Sequence, residues 1–177
     1  MRNHIMPRLV AQNGPMTTTV RPGQPDDHAA AFEVWRASLT ARDGRPPAEQ
    51  IQRVVRENLA APGTWLLVAE DAGVIVAIVT ARDGAEDGGR GPASRGLCHI
   101  EMLFVAPDRW GAGIGGELLD AALDEVRRRG YVRAQLWVVQ DNERATRLYA
   151  RRGFRHSGRV ASGDAGEAIG LWAVDLE

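Results

Sequence analysis

The chain has 177 residues, a formal net charge of −1 at pH 7 and one cysteine, Cys98. This length fits a single domain, and the balanced charge gives no reason to expect a nucleic-acid partner. One cysteine excludes an internal disulfide and is typical of a reducing compartment. No run approaches the roughly 20 apolar residues of a membrane span, and residues 1–15 lack the apolar core and cleavage site of a signal peptide. We therefore expect a cytoplasmic protein with no membrane partner.

Periodicity, helix-start signals and turn dipeptides predict the elements of the domain. We expect residues 1–15 to be a mobile N-terminal extension and residues 16–177 to form one domain. The predicted order is a strand at 17–21, helices at 25–43 and 48–61, a hairpin of strands 65–70 and 74–82, a strand at 97–105, a helix at 114–129, a strand at 132–139, a helix at 142–152 and strands at 154–160 and 168–176. Such an order predicts an α+β fold with a mixed sheet.

Two features of the first half stand out. Residues 74–79 are apolar without interruption, which predicts a central strand covered on both faces. Each of the first two helices is predicted to carry an apolar stripe. The first stripe consists of Ala30, Phe32, Val34, Trp35 and Leu39, and the second of Ile51, Val54, Val55 and Leu59. The loop from Asp83 to Gly96 holds five glycines and three acids and is long for a compact domain, so it is mobile or functional.

A glycine-rich turn follows the strand at 97–105 and leads directly into an amphipathic helix. Its glycines are Gly111, Gly113, Gly115 and Gly116. Glycines let the backbone approach a ligand closely, and a helix start presents N–H groups and a positive dipole end. The turn therefore suits a phosphate or pyrophosphate. It lacks the Lys-Ser/Thr pair of a Walker A loop, and a dinucleotide fold would place it earlier in its βαβ unit.

Two motifs in order carry a resemblance to a known family. They are Trp110-Gly-Ala-Gly113-Ile-Gly115 and a second motif formed by Asn142, Ala145, Tyr149, Gly153 and Phe154. Together they resemble the GCN5-related N-acetyltransferase (GNAT) family, with Trp110 where the family prefers Gln or Arg. The specific motifs lie between Leu97 and Phe154. The resemblance implies a mixed sheet with splayed central strands, flanked by about four helices.

The resemblance also implies that acetyl-CoA binds as the acyl-donor substrate, with no metal. Backbone groups of Leu103 and Val105 would hold the pantetheine arm, and the loop would hold the pyrophosphate. The implied donor-binding residues are Leu103, Val105, Trp110, Gly111, Gly113, Ile114, Gly115, Gly116, Asn142 and Tyr149. Asn142 is also a preferred helix N-cap, whatever its role toward the donor.

Three residues are candidates for proton transfer. Tyr149 matches the family's general acid; the alternative is a core aromatic. His99 and Glu101 match positions where family members carry a base. Alternation places both on one strand face with Leu103 and Val105 unless a bulge intervenes. The alternative is that His99 and Glu101 are polar side chains on the strand surface, hydrogen-bonded to solvent or to a structural partner.

Two nearby residues narrow the chemistry. Cys98 should point to the opposite sheet face from His99 and is interpreted as a small core residue. Trp137 stands where the branch that acetylates ribosomal protein N-termini carries its base Glu, so that branch fits poorly.

The acceptor site is expected between the first two helices, the long loop and the last hairpin. Candidates by position are Trp35, Arg36, Leu39, Asp83, Glu86 and Asp87. The expected function is transfer of an acetyl group from acetyl-CoA to a primary amine of a small molecule, by direct attack in a ternary complex. The alternatives are acetylation of a protein N-terminus or lysine, and a non-catalytic acyl-CoA-binding module. The sequence is also compatible with a homodimer.

Overall fold

The structure, a computed structural model, describes residues 18–88 and 91–176. The expected N-terminal extension lies outside these residues. The elements are β1 (Thr19–Pro22), α1 (His28–Asp43), α2 (Glu49–Leu59), β2 (Trp65–Asp71), β3 (Val74–Asp83), β4 (Leu97–Val105), α3 (Ile114–Arg128), β5 (Arg133–Val139), α4 (Glu143–Ala150), β6 (Arg155–Ser162) and β7 (Ala168–Asp175). Every helix and strand expected within the described residues is present. Their ends coincide with the predicted ones or differ from them by one to three residues.

One mixed sheet forms the middle layer of the molecule. Its seven strands lie in the order β1-β2-β3-β4-β5-β7-β6. β4 and β5 are parallel, and the other neighbouring pairs are antiparallel. The prediction of an α+β fold with a mixed sheet and four flanking helices is confirmed for the part of the chain that is described.

Helices cover both faces of this sheet. Residues of α3 and α4 pack with one apolar cluster, which includes Val79 of β3. Residues of α1 and α2 pack with a second cluster, which includes Ile78. β3 therefore contributes side chains to both clusters, as its uninterrupted apolar run predicts.

Two predicted stripe positions are wrong. Ala30 on α1 is exposed, and Val54 on α2 is 44% exposed. On α2 the buried positions are Val55 and Leu59, four residues apart. Val54 is rotated by about 100° from Val55 around the helix, so both cannot face the same strand.

The centre of the sheet splits open between β4 and β5. Only three residue pairs join these strands, and the last is His99 with Gln135. Beyond that pair, β4 continues to Val105 and β5 to Val139, but the two strands no longer pair with each other. The result is a V-shaped opening between two parallel strands.

A β-bulge in β4 changes the direction of the side chains around this opening. Met102 lies opposite Thr80 and Ile100 lies opposite Ala81, so Glu101 has no partner on β3. Cys98, Ile100, Leu103 and Val105 pack on the α3/α4 face, whereas Met102 and Phe104 pack on the α1/α2 face. The expected common face for His99 and Glu101 with Leu103 and Val105 is therefore wrong, because one extra residue reverses the alternation. Cys98 does point away from His99, as expected.

Within the described residues, no helix is both long and apolar enough to cross a membrane.

Candidate active site

The glycine turn presents a group of unpaired backbone donors at the start of α3. Gly111 and Gly113 both have φ of 86°, in the left-handed region, and Gly113 is the N-cap of the helix. Gly116 and Glu117 donate back to the Gly113 carbonyl at 2.9 and 3.2 Å. No acceptor is found within the described chain for the backbone N–H groups of Gly111, Gly113, Ile114 and Gly115. Four free N–H groups beside a helix N-terminus form a site for an anion.

Trp110 occupies the position that differs from the family motif. Its ring is 42% exposed, and its Nε1 donates to the Val105 carbonyl at 2.7 Å. The guanidinium of Arg144 lies 6.0 Å from the ring centroid. The indole therefore folds back over the end of β4 toward α4 and contributes a side of the cleft described below.

The backbone of β4 offers polar groups to the opening. Ala106 donates to the Val76 carbonyl at 2.8 Å. Because hydrogen-bonded positions alternate in an antiparallel pair, Leu103 and Val105 turn their N–H and C=O groups away from β3 and toward β5. The Val105 carbonyl also accepts from the Ser38 hydroxyl at 2.8 Å. The N–H of Val105 and both groups of Leu103 therefore face the gap between the splayed strands.

A large cleft connects the glycine turn with this opening. Its volume is about 1140 Å³, and its walls come from the glycine turn and the C-terminal parts of α1 and β4 together with α4 and residues 165 and 167. Seven arginines line it: Arg42, Arg45, Arg109, Arg144, Arg147, Arg151 and Arg152. Four of them already hold carboxylates: Arg42 pairs with Asp43, Arg109 with Asp71, Arg147 with Glu143 and Arg152 with Asp120. The wall of the cleft is thus rich in cationic side chains that suit a phosphorylated ligand.

A smaller cavity of about 140 Å³ lies deeper, between β4 and β5. Apart from Glu101 and Arg42, its lining is mostly apolar, and Tyr149 and Asn142 line both this cavity and the cleft. The remaining lining residues are Ile100, Met102, Leu103, Phe104, Leu136, Trp137, Val138, Val139 and Ala145. The cavity is therefore a small space with both polar and apolar groups on its walls, and Glu101 and Tyr149 are among its lining residues.

Glu101 is brought to this cavity by the bulge. Its side chain is 12% exposed, and its Oε1 lies 2.7 Å from Nε of Arg82. Its Oε2 is buried without a hydrogen-bond partner among the described residues. Burial raises the pKa of Glu101 above its usual value, and the positive charge of Arg82 opposes that rise. A carboxyl group whose pKa lies nearer neutrality is a better general base.

His99 lies apart from the cavity. Its side chain is buried, its Nδ1 has no partner in the described part of the chain, and it is absent from the cavity lining. Burial, with a contribution from the charge of Arg82, lowers the pKa of His99 to about 4. His99 and Glu101 therefore both neighbour Arg82, but of the two only Glu101 lines the cavity.

Tyr149 lies on α4 between the cavity and the core. It is 8% exposed, and its ring packs edge-on against Phe154 at a centroid distance of 5.7 Å. Burial raises the pKa of Tyr149 to about 12, so the phenol stays protonated at neutral pH and can donate a proton. The two interpretations of Tyr149, a general acid and a core aromatic, are compatible, because the ring packs in the core and also lines the cavity.

Asn142 directly precedes α4, and its Oδ1 accepts from the Ala145 backbone at 3.1 Å, so it is the helix N-cap.

Cys98 is fully buried, and burial raises the pKa of its thiol to about 12. Its thiol therefore has little thiolate character, which agrees with a core role.

The expected acceptor residues are not brought together. Trp35 is buried against Phe32, and Arg36 pairs with Glu33. The three loop acids have other partners: Tyr131 for Asp83, Arg133 for Glu86 and the Gly91 backbone for Asp87. Of the set, only Leu39 lines the cleft. The residues that meet Glu101 or line its cavity include Arg42 and Arg82, which no sequence motif selects. They also include Trp137, which stands where another branch of the family carries its base.

Comparisons with known proteins identify the family of this chain. The family model of the acetyltransferase (GNAT) family matches residues 29–154. A mycothiol acetyltransferase from Propionibacterium freudenreichii subsp. shermanii is 32% identical over 125 residues, which cover 71% of this chain and 37% of that protein. A second mycothiol acetyltransferase, from Acidothermus cellulolyticus, is 27% identical over 158 residues, or 86% of this chain and 48% of that one. The chain thus spans less than half the length of these curated relatives.

A solved structure shares the fold. An acetyltransferase from Salmonella typhimurium, solved with its cofactor acetyl-CoA, superposes with a TM-score of 0.68 at 21% identity, covering 91% of this chain and 95% of that chain. The family match covers more than half of the sequence and includes both motifs and the bulged strand. This chain belongs to the GNAT family of acetyltransferases.

Proposed function

We propose that this chain transfers an acetyl group from acetyl-CoA to the primary amine of a small molecule. The observation that carries the proposal is that Glu101 and Tyr149 line one cavity at the base of the splayed strands, while the adjoining cleft contains the free N–H groups of the glycine turn. Donor binding, proton removal and proton donation thus have separate groups within one connected space.

The donor is oriented by its two ends. The N–H groups of the glycine turn bind the pyrophosphate, and the arginines of the cleft favour its negative charge. The pantetheine arm extends along β4, where the backbone of Leu103 and Val105 faces the gap. This arrangement directs the thioester toward the small cavity.

The chemistry is a direct attack within a ternary complex. The amine nitrogen forms a bond to the acetyl carbon, and the bond between that carbon and sulfur breaks. Glu101 takes a proton from the ammonium or the attacking amine, directly or through water, and Tyr149 gives a proton to the departing thiolate. A buried carboxylate with a raised pKa and a buried phenol that stays protonated suit these two roles.

The dimensions of the cavity favour a small acceptor. It holds about 140 Å³, and the aromatic rings of Trp137 and Phe104 contribute to its walls. The indole of Trp137 donates to the Gly88 carbonyl at 2.8 Å, which fixes the loop from β3 against β5. The curated relatives named mycothiol acetyltransferases supply one specific acceptor to test.

The test measures free thiol released from acetyl-CoA with a panel of acceptors. The panel contains polyamines, amino acids, arylalkylamines, aminoglycosides, the acceptor of mycothiol acetyltransferases, and peptides with free N-termini or lysines. We expect turnover with a small amine and a product heavier by one acetyl group in mass spectrometry. Turnover with peptides alone would favour the protein-acetylating alternative. Tight acetyl-CoA binding without turnover on any acceptor would favour the non-catalytic binding module.

A further inference from the structure

Glu101 is held on one side only, by a residue of the neighbouring strand. Nε of Arg82 lies 2.7 Å from Oε1. The arginine side chain is 46% exposed and the glutamate side chain 12%, so the charge of Arg82 lies at the surface and the carboxyl group lies inside. Oε2, the inner oxygen, is buried and has no hydrogen-bond partner in the described residues.

The bulge in β4 explains how Glu101 can form an ion pair with Arg82 on the neighbouring strand β3. Arg82 lies directly opposite His99, so it projects on the α1/α2 face. Glu101 is the extra residue of β4 and has no partner of its own on β3. An unpaired residue in a bulge is free to turn its side chain out of the regular alternation. An ion pair to the strand alongside fixes the direction that the side chain takes.

We propose that Arg82 is a positioning residue for the base: it holds Oε1 on the solvent side and leaves Oε2 to take the proton of the amine. The inference rests on the proposed function, in which Glu101 is that base. It adds a residue that lies outside both family motifs and outside the cavity lining. The charge of Arg82 also opposes the rise in the pKa of Glu101 that burial causes.

The other titratable groups around the cavity do not duplicate this role. Arg42 of α1 lines the cavity, but its guanidinium is paired with Asp43 at 2.6 Å. His99 of β4 is buried with a lowered pKa, and Tyr149 of α4 with a raised pKa. Neither carries a charge at neutral pH. Among the described residues, Arg82 is the charged group that pairs with the Glu101 carboxyl.

The experiment compares Arg82→Met with the matched control Arg127→Met. Arg127 has the same side-chain exposure, 46%, and pairs with Asp124 at the far end of α3. In Arg82→Met the ascending limb of kcat/KM should move to higher pH, with a rate roughly tenfold lower at a pH below the limb and recovery above it. Arg82→Lys should restore part of the shift, and Arg127→Met should leave the profile unchanged.

A Glu101→Gln background separates positioning from a general effect on the fold. If Arg82 acts through Glu101, adding Arg82→Met to Glu101→Gln should cause no further loss. A loss that is equal at every pH, or one that persists in the Glu101→Gln background, would overturn the inference. An inactive Glu101→Gln enzyme beside an unshifted Arg82→Met profile would overturn this inference alone. A Glu101→Gln enzyme of undiminished turnover would overturn the base assignment as well.

A second measurement, which needs no acceptor, also tests whether Arg82 acts on Glu101. Carboxyl carbons of labelled glutamate can be titrated by NMR in the ligand-free protein, with Glu101 assigned from the Glu101→Gln spectrum. The midpoint of Glu101 should move to higher pH in Arg82→Met and stay in place in Arg127→Met. An identical Glu101 titration in all three proteins would overturn the inference.

Discussion

The donor side and the acceptor side of this cleft are built in different ways. The backbone groups of the proposed donor side come from one continuous segment, in which β4, the glycine turn and α3 follow one another along the chain, and α4 adds Asn142 and Tyr149. The acceptor side gathers Glu101 from a bulge, Arg82 from β3, Arg42 from α1 and Trp137 from β5. The donor site is therefore local in sequence, whereas the acceptor site depends on how remote strands are aligned. Substitutions on the two sides should affect different kinetic constants.

The largest effect is expected from Glu101→Gln. Loss of a general base should lower kcat on the order of 10²–10⁴-fold. The binding of acetyl-CoA should hardly change, because Glu101 does not line the outer cleft. Calorimetry with acetyl-CoA and steady-state rates with the best acceptor would measure both. A large change in donor affinity would remove the distinction between the two sides.

The same variant should not be destabilised. Burial raises the pKa of Glu101 in the folded state, so its contribution to stability is present at low pH and is lost as the pH rises through that pKa. Glutamine removes this loss, and the melting temperature at neutral pH should stay constant or rise. A fall in melting temperature would show that the Arg82 ion pair outweighs the burial of the carboxylate.

A smaller effect, on donor affinity, is expected from Gly115→Val. A Cβ at Gly115 would meet Val105 Cγ2 at 3.4 Å, an ordinary contact, so the fold should tolerate a side chain there. The side chain would occupy the space in front of the free N–H groups and weaken acetyl-CoA binding by roughly 10²-fold, as expected when charge-assisted hydrogen bonds are lost. Glu117→Ala, exposed on the same helical turn, is the control. An unchanged dissociation constant in a folded Gly115→Val protein would contradict the pyrophosphate assignment.

Tyr149→Phe should have a moderate effect on turnover. The ring and its contact with Phe154 remain, and only the hydroxyl is lost. If the hydroxyl donates a proton to the thiolate, kcat should fall by roughly 10- to 10²-fold with little change in melting temperature. A variant that loses stability and keeps its turnover would show that Tyr149 serves packing alone.

The smallest effect on rate is expected from His99→Asn. His99 is outside the cavity lining, and burial lowers its pKa to about 4. The ascending limb of the pH–rate profile should stay in place, with rates within about twofold of the parent, below the 10²-fold or more expected of a general base. A shifted limb would return His99 to the mechanism.

His99 should instead matter for acid stability. A histidine whose pKa is lowered in the folded state takes up a proton more readily when unfolded, so stability falls as the pH drops from about 6.5 to 4. His99→Asn should reduce this fall in urea unfolding across that range, while substitution of the exposed His156 should not. Equal acid sensitivity in the parent and His99→Asn would contradict the lowered pKa.

Much of the donor site could be predicted from residues that are close in sequence. Gly111 and Gly113 sit in a turn that needs positive φ, and the N-cap Asn142 and the buried Tyr149 lie on one short helix. The acceptor side could not be predicted in the same way. Strict alternation along β4 assigned Glu101 to the wrong group of neighbours, because the register shift becomes visible only when β3 is alongside.

The loop acids show the same limit. Asp83 and Glu86 were selected for their charge and their place in a long loop, and the structure pairs them with Tyr131 and Arg133. Charge along the chain does not tell which partner a folded surface supplies. The cavity walls, by contrast, include residues such as Trp137 and Arg42, whose roles depend on the spread of β4 from β5.

The sequence by itself determined the family, the element order and the glycine turn at the start of α3, because motifs, periodicity and glycine turns act over a few residues. Tertiary structure alone decided where β4 and β5 separate, which face Glu101 takes and which arginine holds it. The physical reason is that backbone donors at a helix start are set by local geometry, whereas the burial and charge around Glu101 are sums over strands and helices distant in the chain.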